Sequence, residues 1–170
     1  SAVTAGTEQT FRLARNFYRT QNISRIGYFY VGNDEIASGM FAAFHSVVPN
    51  GAVLSRTTDV DGLLGPPVAR DLEVVRKWLM SLQRPTGLMV TENHAAGYLA
   101  HTCRLIGLNV PGDVQIIGVD DEDECLNCIP HLTSIRLPAE RIGETAMKTL
   151  MEHIRGPRRP AATILVKGSI

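Results

Sequence analysis

The chain has 170 residues, of which 44% are apolar and 20% are charged, and these proportions are those of a globular domain with a hydrophobic core. Seventeen basic residues balance seventeen acidic ones, which argues against a domain that grips nucleic acid by itself, because such domains carry a basic excess. Three cysteines, no apolar stretch of membrane length and no visible secretion signal predict a cytoplasmic protein that does not enter a membrane.

Short apolar runs alternate with amphipathic stretches, a pattern typical of a parallel sheet whose strands are joined by helices. Four helix–strand pairs are predicted first: 7–18 with 26–31, 34–44 with 52–55, 68–82 with 87–90, and 93–106 with 114–119. They are followed by a strand at 133–135, a helix at 138–154 and an extended segment at 163–166. Since no strand is predicted before the first helix, we expect a chain truncated on both sides.

Two helices have apolar residues at a regular helical spacing, which predicts the side that faces the core. In the helix at 68–82 these are Val68, Leu72, Val75, Leu79 and Leu82. In the last helix they are Ile142, Ala146, Leu150 and Ile154. Both stripes are therefore expected to face inward.

Parallel sheets of this kind bind ligands at the carboxyl ends of their strands, in the crevice where the topology switches. Polar residues follow the predicted strands at Asn33, Arg56, Glu92–Asn93 and Asp120. We therefore expect a ligand site to take its residues from these positions.

Two segments carry a resemblance to a known family. Residues 109–123 read N-V-P-G-D-V-Q-I-I-G-V-D-D-E-D, and residues 129–135 read I-P-H-L-T-S-I. They resemble the lactose-repressor (LacI/GalR) family of bacterial transcription regulators, whose pattern is V-P-x-D-(V/I)-x-(V/I)-(V/I)-G-(F/Y/I)-D-(D/N), then P-x-L-(T/S)-(T/S)-(I/V). Residues 86–95 occupy the place of the family's strand ending in A-N-D-x-x-A, and residues 136–155 resemble the helix that crosses between its two lobes.

Within that family the chain is most similar to xylose-operon regulators. The similar segments are W-L-M-S-L at 78–82, P-T-G-L-M-V-T-E at 85–92 and I-G-V-D-D-E at 117–122. The resemblance covers essentially the whole chain. It implies a sugar-sensing domain, with xylose as the suspected sugar and no cofactor.

The resemblance implies an α/β fold, with a flavodoxin-like parallel sheet that forms the C-terminal lobe of a periplasmic-binding-protein-like (type I) domain. Residues 4–136 would form this lobe, residues 137–160 a crossover helix against a missing N-terminal lobe, and residues 161–170 a return segment. A sugar would bind between the lobes and bias their geometry. The family further implies a homodimer that contacts DNA only through a domain absent from this chain.

Asp120 is the first candidate ligand residue, because one carboxylate can accept two hydroxyl hydrogen bonds from a sugar. It can equally cap the turn that follows its strand, and the residues alone leave both interpretations open. Glu92 could accept hydroxyls in the same way, while Asn93 suits a helix cap as well as a ligand contact. Asn33 opens a segment without a basic residue where many family members have an arginine, which favours a neutral sugar over an anion.

Other functions have less support in the sequence. Cys125, Cys128 and His131 could supply three zinc ligands, but they occupy the family's variable loop, and we predict no metal site. A periplasmic sugar-binding protein would share the fold. A small flavodoxin-like enzyme would need a nucleophile with a base or a metal set, and no such set is visible in the sequence, so we predict that the chain is not an enzyme.

Overall fold

The computed structural model describes residues 2–32, 34–57, 69–91, 93–120, 129–156 and 163–170. Helices and strands alternate along most of the described chain. Their bounds are β1 Ala2–Thr4, α1 Thr7–Thr20, β2 Arg25–Gly32, α2 Asp34–Val47, β3 Ala52–Thr57, α3 Ala69–Ser81, β4 Thr86–Val90, α4 Asn93–Leu105, β5 Val114–Val119, β6 Thr133–Ile135, α5 Ala139–Arg155 and β7 Thr163–Leu165. The predicted helices and strands are therefore confirmed, apart from differences at their ends.

Five of these strands form one parallel sheet in the order β3-β2-β4-β5-β6. The order reverses beside β2, because the chain moves outward to β3 and then crosses back over β2 to β4. This is the flavodoxin-like strand order, with its switch point between β2 and β4. The predicted fold class is confirmed.

Each face of the sheet carries its own hydrophobic core. Helices α1 and α2 cover one face, where the fully buried rings of Phe11, Tyr28 and Phe44 pack edge to face or tilted. Helices α3 and α4 cover the other face, where Leu79 and Leu99 are completely buried. Burial on both faces explains why the strand sequences are almost continuously apolar.

The prediction that no strand precedes the first helix was wrong. Strand β1, Ala2–Thr4, lies before α1 and pairs in parallel with β7, so that the two ends of the chain form a separate two-stranded sheet. Helix α5 contacts β1. A three-residue strand is too short to show an alternating pattern, and its partner lies at the other end of the chain, so the sequence could not reveal the pairing.

The expected inward stripe of the last helix is a second difference. In α5, Leu150 and Ile154 are 53% and 68% exposed, and Ala146 is exposed as well. None of the described residues of this helix is buried. The spacing was that of an amphipathic helix, but the described chain does not cover its apolar side.

Tyr18 connects α1 to the centre of the large sheet. Its fully buried hydroxyl donates to the carbonyl oxygen of Leu88 at 2.7 Å, and the carbonyl oxygen of Gln115 is 3.1 Å away. Burial raises the pKa of Tyr18 well above its ordinary value, so the hydroxyl stays protonated as a donor. A Cβ atom on Gly87 would come within 2.6 Å of the Tyr18 ring. Glycine at position 87 therefore lets α1 approach the sheet this closely.

We predict that Gly87→Ala lowers the free energy of unfolding by about 1–3 kcal/mol, because the new methyl group overlaps a ring that has no room to move. Gly143→Ala is the control, since its Cβ atom would meet nothing within 4 Å on α5. That change should stabilise the chain by up to about 1 kcal/mol through helix propensity. Urea unfolding of both variants measures the difference, and equal stability of Gly87→Ala and the parent would contradict the prediction.

Candidate functional site

The carboxyl ends of β2, β4 and β5 lie side by side at one edge of the large sheet. Pairing between β2 and β4 stops at Phe29 and Val90, whereas β2 continues beside β3 as far as Gly32 and Thr57. Strand β4 ends at this point, so β2 extends beyond it at this edge. Parallel sheets of this type bind ligands in a crevice beside the carboxyl ends of the strands at the switch point.

The turn after β2 is very short. Gly32 ends the strand and Asp34 begins α2, which leaves Asn33 as the connection between them. Asn33 lies outside the described residues. Its place in the chain puts it at the switch point, as the sequence predicted, and its role as a ligand contact stays a prediction.

The turn after β4 is also short. Val90 is fully buried at the end of the strand, Thr91 is partly buried, and α4 begins at Asn93. Glu92 lies outside the described residues, and so does the side chain of Asn93. Both follow the strand that pairs with β2 on one side and β5 on the other, and their ligand roles stay predictions.

Asp120 follows β5 directly, and the conformation of its backbone is unusual. Its φ angle is +92°, and its N–H donates to the carbonyl oxygen of Ile135 at 2.8 Å, which extends the β5–β6 pairing by one bond. Positive φ is costly for residues with a Cβ atom, and aspartate and asparagine tolerate it best. Strained residues of this kind cluster at functional sites. The Asp120 side chain is exposed at the edge where the crevice opens.

Asn33, Glu92, Asn93 and Asp120 thus follow three adjacent strands, in the spatial order β2, β4 and β5. Arg56, the other position expected from the sequence, lies within β3 and pairs with Val31, and its side chain lies outside the described residues. Of the four side chains, the structure describes only that of Asp120. Sequence reasoning missed Tyr28, a fully buried residue of β2 whose hydroxyl lies 3.1 Å from Thr91 Oγ1. The available signal was a tyrosine within a buried strand, because a buried hydroxyl requires a hydrogen-bond partner.

The residues considered for metal binding give no support to that interpretation in the described part of the chain. Cys125 and Cys128 lie outside it, and His131 is exposed. No group of three or more His, Cys, Asp or Glu residues that could hold a metal ion occurs among the described residues.

The described cysteine is not poised as a nucleophile. Burial raises the pKa of the Cys103 thiol to about 11, while nearby Arg84 opposes the rise and Asp113 adds to it. At neutral pH the thiol is therefore protonated, whereas the reactive form of cysteine is the thiolate.

The chain crosses between its two sheets close to this edge. Arg136 follows β6 and exchanges two backbone hydrogen bonds with Ser169, of 2.8 and 3.1 Å. The segments that enter α5 and leave β7 are thereby joined just beyond the large sheet. The small sheet, with α5, is held in this way beside the large sheet.

None of the helices in the described part of the chain combines the length and the apolar character that crossing a membrane requires.

The sequence matches a known family along most of its length. The family described as the periplasmic binding protein-like domain matches residues 16–170. The HTH-type transcriptional repressor PurR of Photobacterium profundum is 32% identical over 84 residues, which are 49% of this chain and 25% of the repressor. The chain therefore matches about a quarter of the length of this curated relative.

Solved structures are similar to nearly the whole chain. A putative transcriptional regulator of the LacI family from Rhizobium etli is similar with a TM-score of 0.78 and 22% identity, over 99% of this chain and 62% of that protein. The xylose-binding transcription activator xylR is similar with a TM-score of 0.74 and 17% identity, over 99% of this chain and 46% of the activator. At these identities the likeness concerns the fold.

The backbone at Asp120 leads to a stability prediction. Asp120→Asn should change the free energy of unfolding by less than about 0.5 kcal/mol, because asparagine tolerates positive φ as aspartate does. Asp120→Ala should cost about 1 kcal/mol or more, whereas Asp120→Gly should not, because glycine adopts this φ without strain. Urea unfolding of the three variants measures this order, and an alanine variant as stable as the asparagine variant would contradict it.

Proposed function

This chain belongs to the periplasmic binding protein-like domain family, as an effector-binding domain of the lactose-repressor type, and from this premise we propose that it senses a small neutral sugar for a bacterial transcription regulator. The observation that carries the proposal is the exposed, strained Asp120 at the carboxyl edge of the sheet. A carboxylate there can accept hydroxyl hydrogen bonds, and bonds to a charged group contribute about 1.5–3 kcal/mol each.

The charges around this edge support a neutral ligand. The segments that follow β2, β4 and β5, residues 32–38, 91–97 and 120–128, contain acidic residues but neither lysine nor arginine, and Arg56 lies within β3, outside these segments. A phosphate or carboxylate ligand would meet repulsion in place of the basic partner that such groups require. Sugar hydroxyls suit acidic and amide side chains, and we infer that Asp120, Glu92, Asn93 and Asn33 bind them. Xylose is the proposed sugar; the support is the resemblance of residues 78–82, 85–92 and 117–122 to xylose-operon regulators and the fold likeness to the xylose-binding activator xylR.

A second lobe would complete the site. We propose that residues 4–136 form the C-terminal lobe, that residues 137–160 pack against an N-terminal lobe of the same protein, and that residues 161–170 return to it. The support is the apolar side of α5, where Met147, Leu150 and Ile154 are 53–68% exposed. Three large apolar side chains in a row on one helix are typical of a surface that another part of the protein covers.

Ligand binding would act by shifting the equilibrium between lobe geometries. The lobes would adopt an open or a closed arrangement. A sugar favours the closed arrangement only to the extent that it binds that arrangement more tightly than the open one. DNA binding would belong to a separate domain of the regulator, and pairing of two copies would transmit the change. Such a regulator would act in the cytoplasm, where it meets DNA.

Of the three classes considered from the sequence, a regulator is favoured over a periplasmic sugar-binding protein and over an enzyme. Its sequence relatives and structural neighbours include transcriptional repressors, regulators and an activator. The support for this preference is that likeness, together with the Pro130–Ile135 segment and the long helix that follows it.

We predict that Asp120→Asn in the full-length regulator weakens sugar binding by about 30- to 1000-fold, since it removes a charge-assisted bond and mispairs another. Isothermal titration with D-xylose, D-glucose and cellobiose measures the affinity. The control is Asp113→Asn, the same change at the opposite end of β5, where the carboxylate accepts the Asn109 N–H at 2.8 Å. This control should lower stability and leave sugar affinity unchanged. Unchanged affinity in Asp120→Asn would exclude Asp120 from the site.

We also predict that the 170-residue chain by itself binds these sugars at least about 100-fold more weakly than the full-length regulator, because contacts from one lobe are missing. It should likewise leave no footprint on operator DNA, since its net formal charge is zero. Titration and footprinting of the purified chain test both expectations. Micromolar sugar binding by the chain would contradict the need for a second lobe.

A further inference from the structure

The backbone hydrogen bonds between β2 and β4 end just before the candidate site. Their last paired residues are Phe29 and Val90, and the residue after Val90 is Thr91. At that point a side-chain contact replaces the backbone pairing. The hydroxyl groups of Tyr28 and Thr91 lie 3.1 Å apart, at hydrogen-bonding distance.

The Tyr28 ring has little freedom to move. It is fully buried, and its centroid lies 5.0 Å from that of Phe11, 5.3 Å from that of Phe44 and 5.8 Å from that of Phe41. These contacts hold the ring between the sheet and helices α1 and α2. The hydroxyl group is consequently presented to Thr91 from a rigid support, which makes it suitable for positioning a neighbouring turn.

We propose that Tyr28 is a positioning residue for the ligand site, which holds the β4–α4 turn through Thr91. Glu92 and Asn93 follow Thr91 directly, so a fixed Thr91 limits the positions that these two residues adopt before a ligand arrives. Pre-organisation of this kind raises affinity because less ordering remains to be done on binding. The proposal rests on the proposed function, in which Glu92 and Asn93 contact the sugar.

Tyr18 provides the natural comparison on the same face of the sheet. Its ring is also fully buried, but its hydroxyl donates to the carbonyl of Leu88 and lies close to that of Gln115, within stretches where β4 is already paired with β2 and β5. Loss of that hydroxyl removes a buried hydrogen bond without releasing a turn. Tyr18→Phe is therefore a matched control for Tyr28→Phe.

The test uses the full-length protein that contains this chain. The variants are Tyr28→Phe, Thr91→Val, the two combined, Thr91→Ser and Tyr18→Phe. Each is titrated with D-xylose, D-glucose and cellobiose and unfolded in urea. Amide hydrogen exchange at residues 91–96 is measured without ligand, so that the turn is observed independently of any sugar.

Tyr28→Phe and Thr91→Val should each weaken sugar binding by about 3- to 10-fold, the effect of one neutral hydrogen bond. The double variant should be no weaker than either, because both changes break the same contact. Thr91→Ser keeps the hydroxyl group and should bind sugar as tightly as the parent protein. Tyr18→Phe should lower the free energy of unfolding but leave the sugar affinity unchanged. The proposal is overturned if Tyr28→Phe binds as tightly as the parent protein, or if Tyr18→Phe weakens binding to the same extent.

Failure of the proposed function gives a different result. If the parent protein binds none of the sugars, the sugar-sensing function is contradicted, and the exchange data decide the role of Tyr28 by themselves. About 10-fold faster exchange at residues 91–96 in Tyr28→Phe, but not in Tyr18→Phe, would support the positioning role. Equal exchange in both variants would overturn it.

Discussion

The pairing of β2 with a strand on each of its edges is the constraint on which the rest of the structure depends. Strand β2 pairs with β3 on one side and with β4 on the other, although β4 follows β3 in the chain. The chain must therefore cross over β2, and the helices before and after the crossing cover opposite faces. Because the connections leave β2 and β4 in opposite directions, a crevice opens between their carboxyl ends.

Different contacts hold the strands of the large sheet together at its two ends. Away from the crevice, the Tyr18 hydroxyl contacts strand backbones, and Gly87 allows its ring to lie against the sheet. At the crevice, the backbone pairing stops and single contacts remain, such as that between Tyr28 and Thr91. Binding sites are commonly built where a rigid framework ends in short turns, because the framework places the turns precisely and the turns leave polar groups exposed.

The small sheet and α5 have a different character from the large sheet. The large sheet has a core on both faces, whereas α5 has no buried residue among those described and exposes Met147, Leu150 and Ile154. Backbone bonds between Arg136 and Ser169 join the two parts. The described chain thus contains one sheet with a hydrophobic core on both faces and a helix whose apolar side it does not cover.

The sequence by itself determined the order of helices and strands in the large sheet, because apolar spacing is a local property. Val75 and Leu79 are fully buried as their spacing predicted. Gly107, with φ of +78°, lies just beyond the end of α4, where the helix was predicted to end. The edge of the sheet where the candidate site lies was also predictable, since it depends only on strand direction. The motif around Asp120 indicated the family, because a motif is read from consecutive residues of the sequence.

Only the tertiary structure decided the features that join distant parts of the chain. The pairing of β1 with β7 connects the two ends of the chain, and three-residue strands leave no readable pattern. The contact between Tyr28 and Thr91 and the positive φ of Asp120 depend on how strands meet, which local spacing does not encode. The exposure of Leu150 and Ile154 has the same origin. Apolar residues at helical spacing indicate that one side of a helix is apolar. Which part of the protein packs against that side depends on the tertiary structure.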